Sequence, residues 1–146
     1  MKPFNKILVP VDFSPHSSEA IRVAADLAGK YAGSVSLIYV WQPVNYSLPE
    51  GYVLYTANQL TDLLQRFEAE LQTAKQLALE AGAKQVDTKL LEGTPASEIV
   101  SHAEKGGYNL IVMGTHGRTG VSHALLGSVA EKVVRKAPCP VLSVHL

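Results

Sequence analysis

The sequence predicts an open, five-stranded parallel β-sheet with helices on both faces. Three observations lead there. Short apolar runs recur along the chain, and the first, Ile7 to Val11, lacks the polar alternation of a half-exposed strand, as a strand covered on both faces requires. Between them lie segments whose apolar residues return at helical spacing. Each crossover is also long enough for a right-handed βαβ unit. The 146 residues suit one domain, and no internal repeat divides them, so a single domain over residues 1–146 is expected.

The first run, Ile7 to Val11, is apolar and β-branched. Asp12 follows, then Ser14-Pro15 offers a capping hydroxyl and a proline suited to the first helical turn. Ala20, Ile21, Ala24, Ala25, Ala28 and Tyr31 give the helical stripe, and Gly33 is expected to stop it. Val35 to Trp41 reads as the second strand. Residues 42–57, with Pro43, Pro49, Gly51 and the tyrosines Tyr46, Tyr52 and Tyr55, read as an irregular excursion. The stripe Leu60, Leu63, Leu64, Phe67, Leu71, Ala74, Leu77, Ala78 and Ala81 defines the clearest helix, with Gly82 as its stop. Val86 to Leu91 is the third strand. Gly93-Thr94-Pro95 turns into a shorter helix carrying Ile99, Val100 and Ala103, ended near Gly106-Gly107. Leu110 to Met113 is the fourth strand. After a glycine-bearing stretch, Val129, Ala130, Val133, Val134 and Ala137 mark the last helix, and Val141 to Leu146 the last strand.

Composition removes several function classes. Thirteen basic and 13 acidic side chains give a formal net charge of zero, so no global field attracts a nucleic acid. No run approaches the roughly 20 apolar residues of a membrane span, and Pro10 and Asp12 cut short any leader-like segment. The one cysteine, Cys139, lies between prolines without a basic neighbour; an inert thiol and a reducing, cytoplasmic setting are expected. The five histidines show no metal-ligand spacing: His116 and His123 are separated by glycines, and His16, His102 and His145 are scattered. No protein-held metal is expected.

Chemistry concentrates between Gly114 and Gly127. Gly114, Gly117, Gly120 and Gly127 permit close backbone approach, and consecutive amides in such a loop can form an anion-binding concavity. Gly127-Ser128 lies where the last helix begins, adding its N–H groups and dipole. The Ser128 hydroxyl can either cap that helix or bond a phosphate oxygen. Two linked anion sites suit a nucleotide's phosphate chain. In open parallel sheets ligands bind beyond the carboxyl ends of strands, where strand order reverses. Asp12 and the glycine loop share such a crevice if the first and fourth strands are neighbours. Asp12 also has a rival role as a turn or cap residue. There is no P-loop pattern, no glycine after the first strand as a dinucleotide fingerprint requires, and no phosphoacceptor aspartate after the third strand.

These residues resemble the ATP-binding branch of the universal stress protein family, whose signature is G-x2-G-x9-G-[ST]. Gly114, Gly117, Gly127 and Ser128 match both spacings. Lys6 to Asp12, Leu37 to Val40, Gly93 to Ala96 with Glu98-Ile99, and Pro138 to Leu142 also match the family's pattern in order. The resemblance implies a Rossmann-like fold of the adenine nucleotide alpha hydrolase kind and ATP in the crevice, with Mg2+ or Mn2+ carried on its phosphates. It puts Pro10, Val11 and Val40 around adenine, the Val40 backbone reading the base edge. Asp12 falls at the ribose, and Met113 with Gly114 over the nucleoside. Gly117, Gly127, Ser128 and Val129 cradle the phosphates, and His116 and Arg118 lie within reach of them. The implied role is a nucleotide-dependent stress-response or signalling module. The alternatives are a slow ATPase, for which no residue set announces the machinery, and an adaptor that has lost its nucleotide.

The last strand carries no charged gatekeeper. An exposed edge of that kind invites pairing, so a twofold homodimer through Val141 to Leu146 is expected, in line with the family resemblance.

Overall fold

The computed structural model describes residues 3–43, 55–116 and 126–146. Strands and helices alternate throughout: β1 (Lys6–Pro10), α1 (Pro15–Lys30), β2 (Ser34–Trp41), α2 (Ala57–Glu80), β3 (Gln85–Glu92), α3 (Pro95–Gly106), β4 (Leu110–Gly114), α4 (Ser128–Lys136) and β5 (Val141–Val144). The sheet order is β3-β2-β1-β4-β5 and every pairing is parallel. The chain thus builds outward from β1 to β3, then crosses back and builds the other way through β4 and β5. Order reverses between β1 and β4.

The apolar runs of β1, β2 and β4 are buried on both faces, which is why they do not alternate, whereas the edge strands β3 and β5 alternate in exposure. Ile7 and Val9 join one core cluster with Val35, Leu37, Leu110 and Val112, packed under α1 and α2. Leu8, Ile38, Val40, Ile111 and Met113 join a second cluster with Ile99 and Ala103 of α3 and Ala130 and Val133 of α4. The sheet therefore has α1 and α2 on one side and α3 and α4 on the other.

Helix starts follow local chemistry. The Ser14 side chain accepts the Ser17 N–H at 3.2 Å, with Pro15 opening the first turn of α1. Thr56 and Gln59 form a reciprocal capping box that starts α2 at Ala57, inside the excursion expected to run to residue 57. Residues 44–54 of that excursion, including Tyr46 and Tyr52, lie outside the described residues.

Two expectations need correction. Gly33 does not supply the left-handed residue after α1; Ala32 does, at φ 52°. Gly33 is instead required by contact, since a Cβ there would sit 2.6 Å from the Asn5 Cα. β5 ends at Val144, so His145 and Leu146 continue beyond the strand rather than within it. The ladder stops there because β4, its one strand neighbour, ends at Gly114 opposite Val144.

Candidate functional site

β1 and β4 are neighbours, so Asp12 and the described ends of the glycine-bearing stretch, Gly114 to His116 and Leu126-Gly127, open onto one crevice. Their last registered pair is Leu8 with Ile111, and the strands then run on to Pro10 and Gly114. A cleft of about 500 Å³ lies at these carboxyl ends. Its walls include nine of the residues singled out in the sequence: Pro10, Val11, Asp12, Val40, Met113, Gly114, Gly127, Ser128 and Val129. His116 lines it too. Gly117 and Arg118, like Gly120 and His123, lie outside the described residues.

The backbone at the cleft's base is arranged by strand parity. The Val11 N–H donates to the Ile38 carbonyl at 2.8 Å, so Ile38 turns its backbone groups toward β1. Trp41 accepts the Gly93 N–H on the opposite, β3 side. In a strand, alternate residues face the same neighbour, so Val40 faces the β1 side as Ile38 does. β1 has ended there: Pro10, opposite Ile38, is its last residue in the ladder. The Val40 amide and carbonyl consequently point into space that β1 has vacated.

Asp12 serves the turn as well as lining the cleft. Its Oδ1 accepts the Ser14 N–H at 3.0 Å, and its own N–H donates to Ser17 Oγ at 3.1 Å. Phe13, next in the chain, has φ 65°, a sparsely populated conformation for a bulky residue. Its ring stacks on Tyr39 at 4.7 Å, and Tyr39 in turn meets Phe67 at 4.7 Å, which holds the strained turn in place.

The loop's two ends are tied together. The Gly127 N–H donates to the Thr115 carbonyl at 2.7 Å, and the Thr115 N–H donates to Val144 at 3.0 Å. Gly127 is therefore not one of the amides open to an anion, contrary to the expectation for that position. The α4 amides that remain are those of Ser128, Val129 and Ala130, ahead of the first helical bond from Glu131 N–H to the Gly127 carbonyl. Ser128 is not the cap residue: Gly127 is the N-cap of α4, and among the described residues no side-chain cap bond is made there. α3 is similar. Its N-cap is Thr94, which makes no side-chain cap bond, and Pro95 and Ile99 line the cleft. Two uncapped helix N-termini thus border one cavity, and each favours negative charge.

Gly114 has a packing reason to be glycine. A Cβ there would approach the His16 Cβ at 2.8 Å and the His16 carbonyl carbon at 3.0 Å, so the first turn of α1 could not lie so close to β4. That approach corrects the reading of the histidines as scattered. His16, His116 and His145 come together, with ring centroids 5.4, 5.9 and 5.9 Å apart. Sequence reasoning missed this because the three lie on separate segments joined only by the order β1-β4-β5. It also missed Tyr39, Ser17, Ile38, Ile99, Thr115, Leu126 and Ala130 as cleft residues, since apolar and small side chains there read as core.

Cys139 packs beside the α3–α4 cluster, and burial pushes its thiol above the ordinary value, away from reactivity. No helix among the described residues is long and apolar enough to cross a membrane.

The order of a parallel sheet reversed at β1, with a cleft at the switch point and two helix N-termini upon it, defines an α/β protein of the open-sheet class. The model of the universal stress protein family matches residues 3–145, and the chain belongs to that family. A universal stress protein of Methanocaldococcus jannaschii is 43% identical over 143 residues, covering 97% of this chain and 82% of that one. Among solved structures, the universal stress protein UspA from Lactobacillus plantarum superposes with a TM-score of 0.81 at 25% identity, over 99% of each chain. A universal stress protein in complex with cAMP gives 0.77 at 25% identity over 99% of each chain. One from Archaeoglobus fulgidus in complex with dAMP gives 0.69 at 25% identity, over 98% of this chain and 99% of that one.

Proposed function

We propose that the protein binds ATP in the cleft between β1 and β4 and acts as a nucleotide-dependent stress-response or signalling module. The observation that carries this reading is the pairing of an outward-facing strand backbone at Val40 with two uncapped helix N-termini across one cavity. A residue presenting an N–H and a C=O side by side complements an adenine edge, which offers an acceptor beside an amino donor. The amides of Ser128, Val129 and Ala130, with the Ser128 hydroxyl, suit phosphate oxygens. Pro10, Val11 and Met113 supply apolar walls for the base, and Asp12 stands at the ribose. Gly117, Arg118 and His116 belong to the phosphate side in this reading. Family members that hold cAMP and dAMP support an adenine nucleotide as the ligand class.

The cleft fits a nucleotide better than a protein-held divalent ion at its phosphate end. Asp12 is the one carboxylate among its described lining residues, and its Oδ1 is engaged on the Ser14 amide. Mg2+ or Mn2+ would accordingly be held through the phosphates. The slow-ATPase alternative asks for an oriented water and neutralisation of developing charge. The described lining offers Asp12, Tyr39 and His116 as its titratable groups, no set that would both orient a water and neutralise that charge, so binding is the reading we adopt.

Calorimetry with ATP tests it, together with mass spectrometry of any ligand released on denaturation. Saturable binding of ATP and of adenosine supports the assignment; absence of both overturns it.

The same proposal includes a homodimer through β5. The two sheet edges differ in character. β3 carries Asp87, Lys89 and Glu92, whereas Val141 to Leu146 has no charge, and Leu142 is 39% exposed. A mass twice that of the chain in solution scattering at micromolar concentration is expected, and a monomeric mass would refute it.

A further inference from the structure

We propose that His16, His116 and His145 form a binding site for a divalent transition-metal ion of the zinc type, separate from any ion carried on nucleotide phosphates. Each histidine offers one ring nitrogen, and the three nitrogens lie within 4.8 Å of one another. His16 comes from the first turn of α1, His116 from the start of the glycine loop, and His145 from the residue after β5. Three adjacent strands, β1, β4 and β5, bring these segments to one end of the sheet.

Two features point to a ligand rather than to incidental packing. His16 Nδ1 and His116 Nε2 are buried and have no hydrogen-bond partner among the described residues, and His116 is only 8% exposed. Buried ring nitrogens are ordinarily satisfied, and an ion between them would satisfy both at once. The second feature is Thr115. Its Oγ1 lies 2.9 Å from His116 Nδ1 and 3.2 Å from His145 Nδ1. With both rings in the Nδ1–H tautomer, a hydroxyl oxygen with two lone pairs can accept from both, which leaves both Nε2 atoms bare. That is the tautomer a metal needs, fixed by a neighbouring acceptor in the way metal-bound histidines usually are.

The donor set selects the ion. Three neutral imidazoles suit zinc and its neighbours rather than magnesium or calcium, which take oxygen ligands. Zinc–nitrogen bonds of about 2.0–2.1 Å in a tetrahedron place nitrogens about 3.4 Å apart. The 4.8 Å bound therefore asks for a contraction, and the exposed His145 is the member free to supply it. Three protein ligands leave the fourth position to water.

The test is zinc titration of the nucleotide-free full chain by calorimetry, with cobalt(II) as a visible-absorption probe. The expected result is one ion per chain and the intense bands of tetrahedral cobalt. His145→Gln and His116→Gln should each weaken zinc by at least about tenfold, and Thr115→Val by about 10–100-fold. His102→Gln, on the far helix α3, should leave it unchanged. Because His145 is exposed, its variant decides the matter even where His116→Gln fails to fold. No saturable zinc binding, or equal affinity in wild type and His145→Gln, would overturn the proposal. Omitting nucleotide keeps this outcome independent of whether ATP binds.

Discussion

Proline at position 128 removes one backbone amide from the proposed phosphate site while sparing the helix. Ser128 is the first residue of α4, where a proline's missing N–H interrupts no helical bond and its fixed φ is already helical. α1 and α3 of this same protein begin with Pro15 and Pro95. The preceding residue must tolerate an extended conformation, and Gly127 already has φ −60° and ψ 159°. Stability should accordingly hold or rise by about 0.4–1 kcal/mol. The comparison is with Ser128→Ala, which removes only the hydroxyl and should weaken ATP by about 1 kcal/mol or somewhat more. A hydrogen bond to a charged group contributes about 1.5–3 kcal/mol. Ser128→Pro should therefore bind ATP about 10–150-fold more weakly than Ser128→Ala, at about 1.4 kcal/mol per tenfold. Adenosine, which lacks phosphate, should bind all three proteins alike. Calorimetry with both ligands and a urea melt of each variant give the full comparison. Equal ATP affinity in the proline and alanine variants, with the fold intact, would refute the helix-amide assignment. A parallel loss for adenosine would refute it equally.

Asp12→Ala should weaken adenosine as much as ATP if Asp12 meets the sugar as proposed; a loss confined to ATP in parallel titrations would contradict that. Gly114→Ala drives a Cβ to 2.8 Å from His16 and should cost about 1–3 kcal/mol. That corresponds to a melting temperature lower by roughly 2–12 °C, and an unchanged melt would show that α1 yields freely. Burial, with Lys89 adding to it, holds His102 below the ordinary imidazole value. Between about pH 6.5 and its folded value, the unfolded chain binds a proton that the native state refuses. Its contribution is therefore intact above about pH 6.5 and declines as pH falls through that window. Urea unfolding of His102→Gln should show a flatter pH profile there, and an identical slope would count against this.

Periodicity and composition made much of the fold legible. β-branched runs such as Ile7-Leu8-Val9 announced doubly covered strands, and Ser14-Pro15 and Gly106-Gly107 marked helix ends through local chemistry. What escaped was decided by contact across the chain. Gly33 reads as a helix stop in any window, but its reason is Asn5, twenty-eight positions earlier. The start of α2 was written in Thr56 and Gln59, yet the prolines upstream drew attention to a loop. Most of the cleft's described lining was legible because the glycine signature fixes backbone positions. Its engaged amide at Gly127 was not, since Thr115 closes the loop from the other side. The histidine trio was least legible of all. His16, His116 and His145 become neighbours only once β4 is known to lie between β1 and β5, and sheet order is not a local property of sequence.

Zero net charge and the proposed polyphosphate ligand are reconciled by which helices are capped. α1 and α2, on one side of the sheet, have their first amides served by Ser14 and by the Thr56–Gln59 box. α3 and α4, on the other side, begin at Thr94 and Gly127 without a side-chain cap. Thr94 is a residue able to cap and does not. Leaving helix amides unserved is costly in a closed core, and both of these ends instead border the cleft. Their partial positive charge is local and needs no lysine or arginine among the described lining residues. A protein with balanced surface charge can in this way attract a short anion at one point and remain indifferent to long ones. The discriminating quantity is salt dependence: affinity built on amides and dipoles should fall with salt far less steeply than affinity built on many released counterions. A steep slope for ATP would transfer the phosphate contacts to cationic side chains and away from the helix ends.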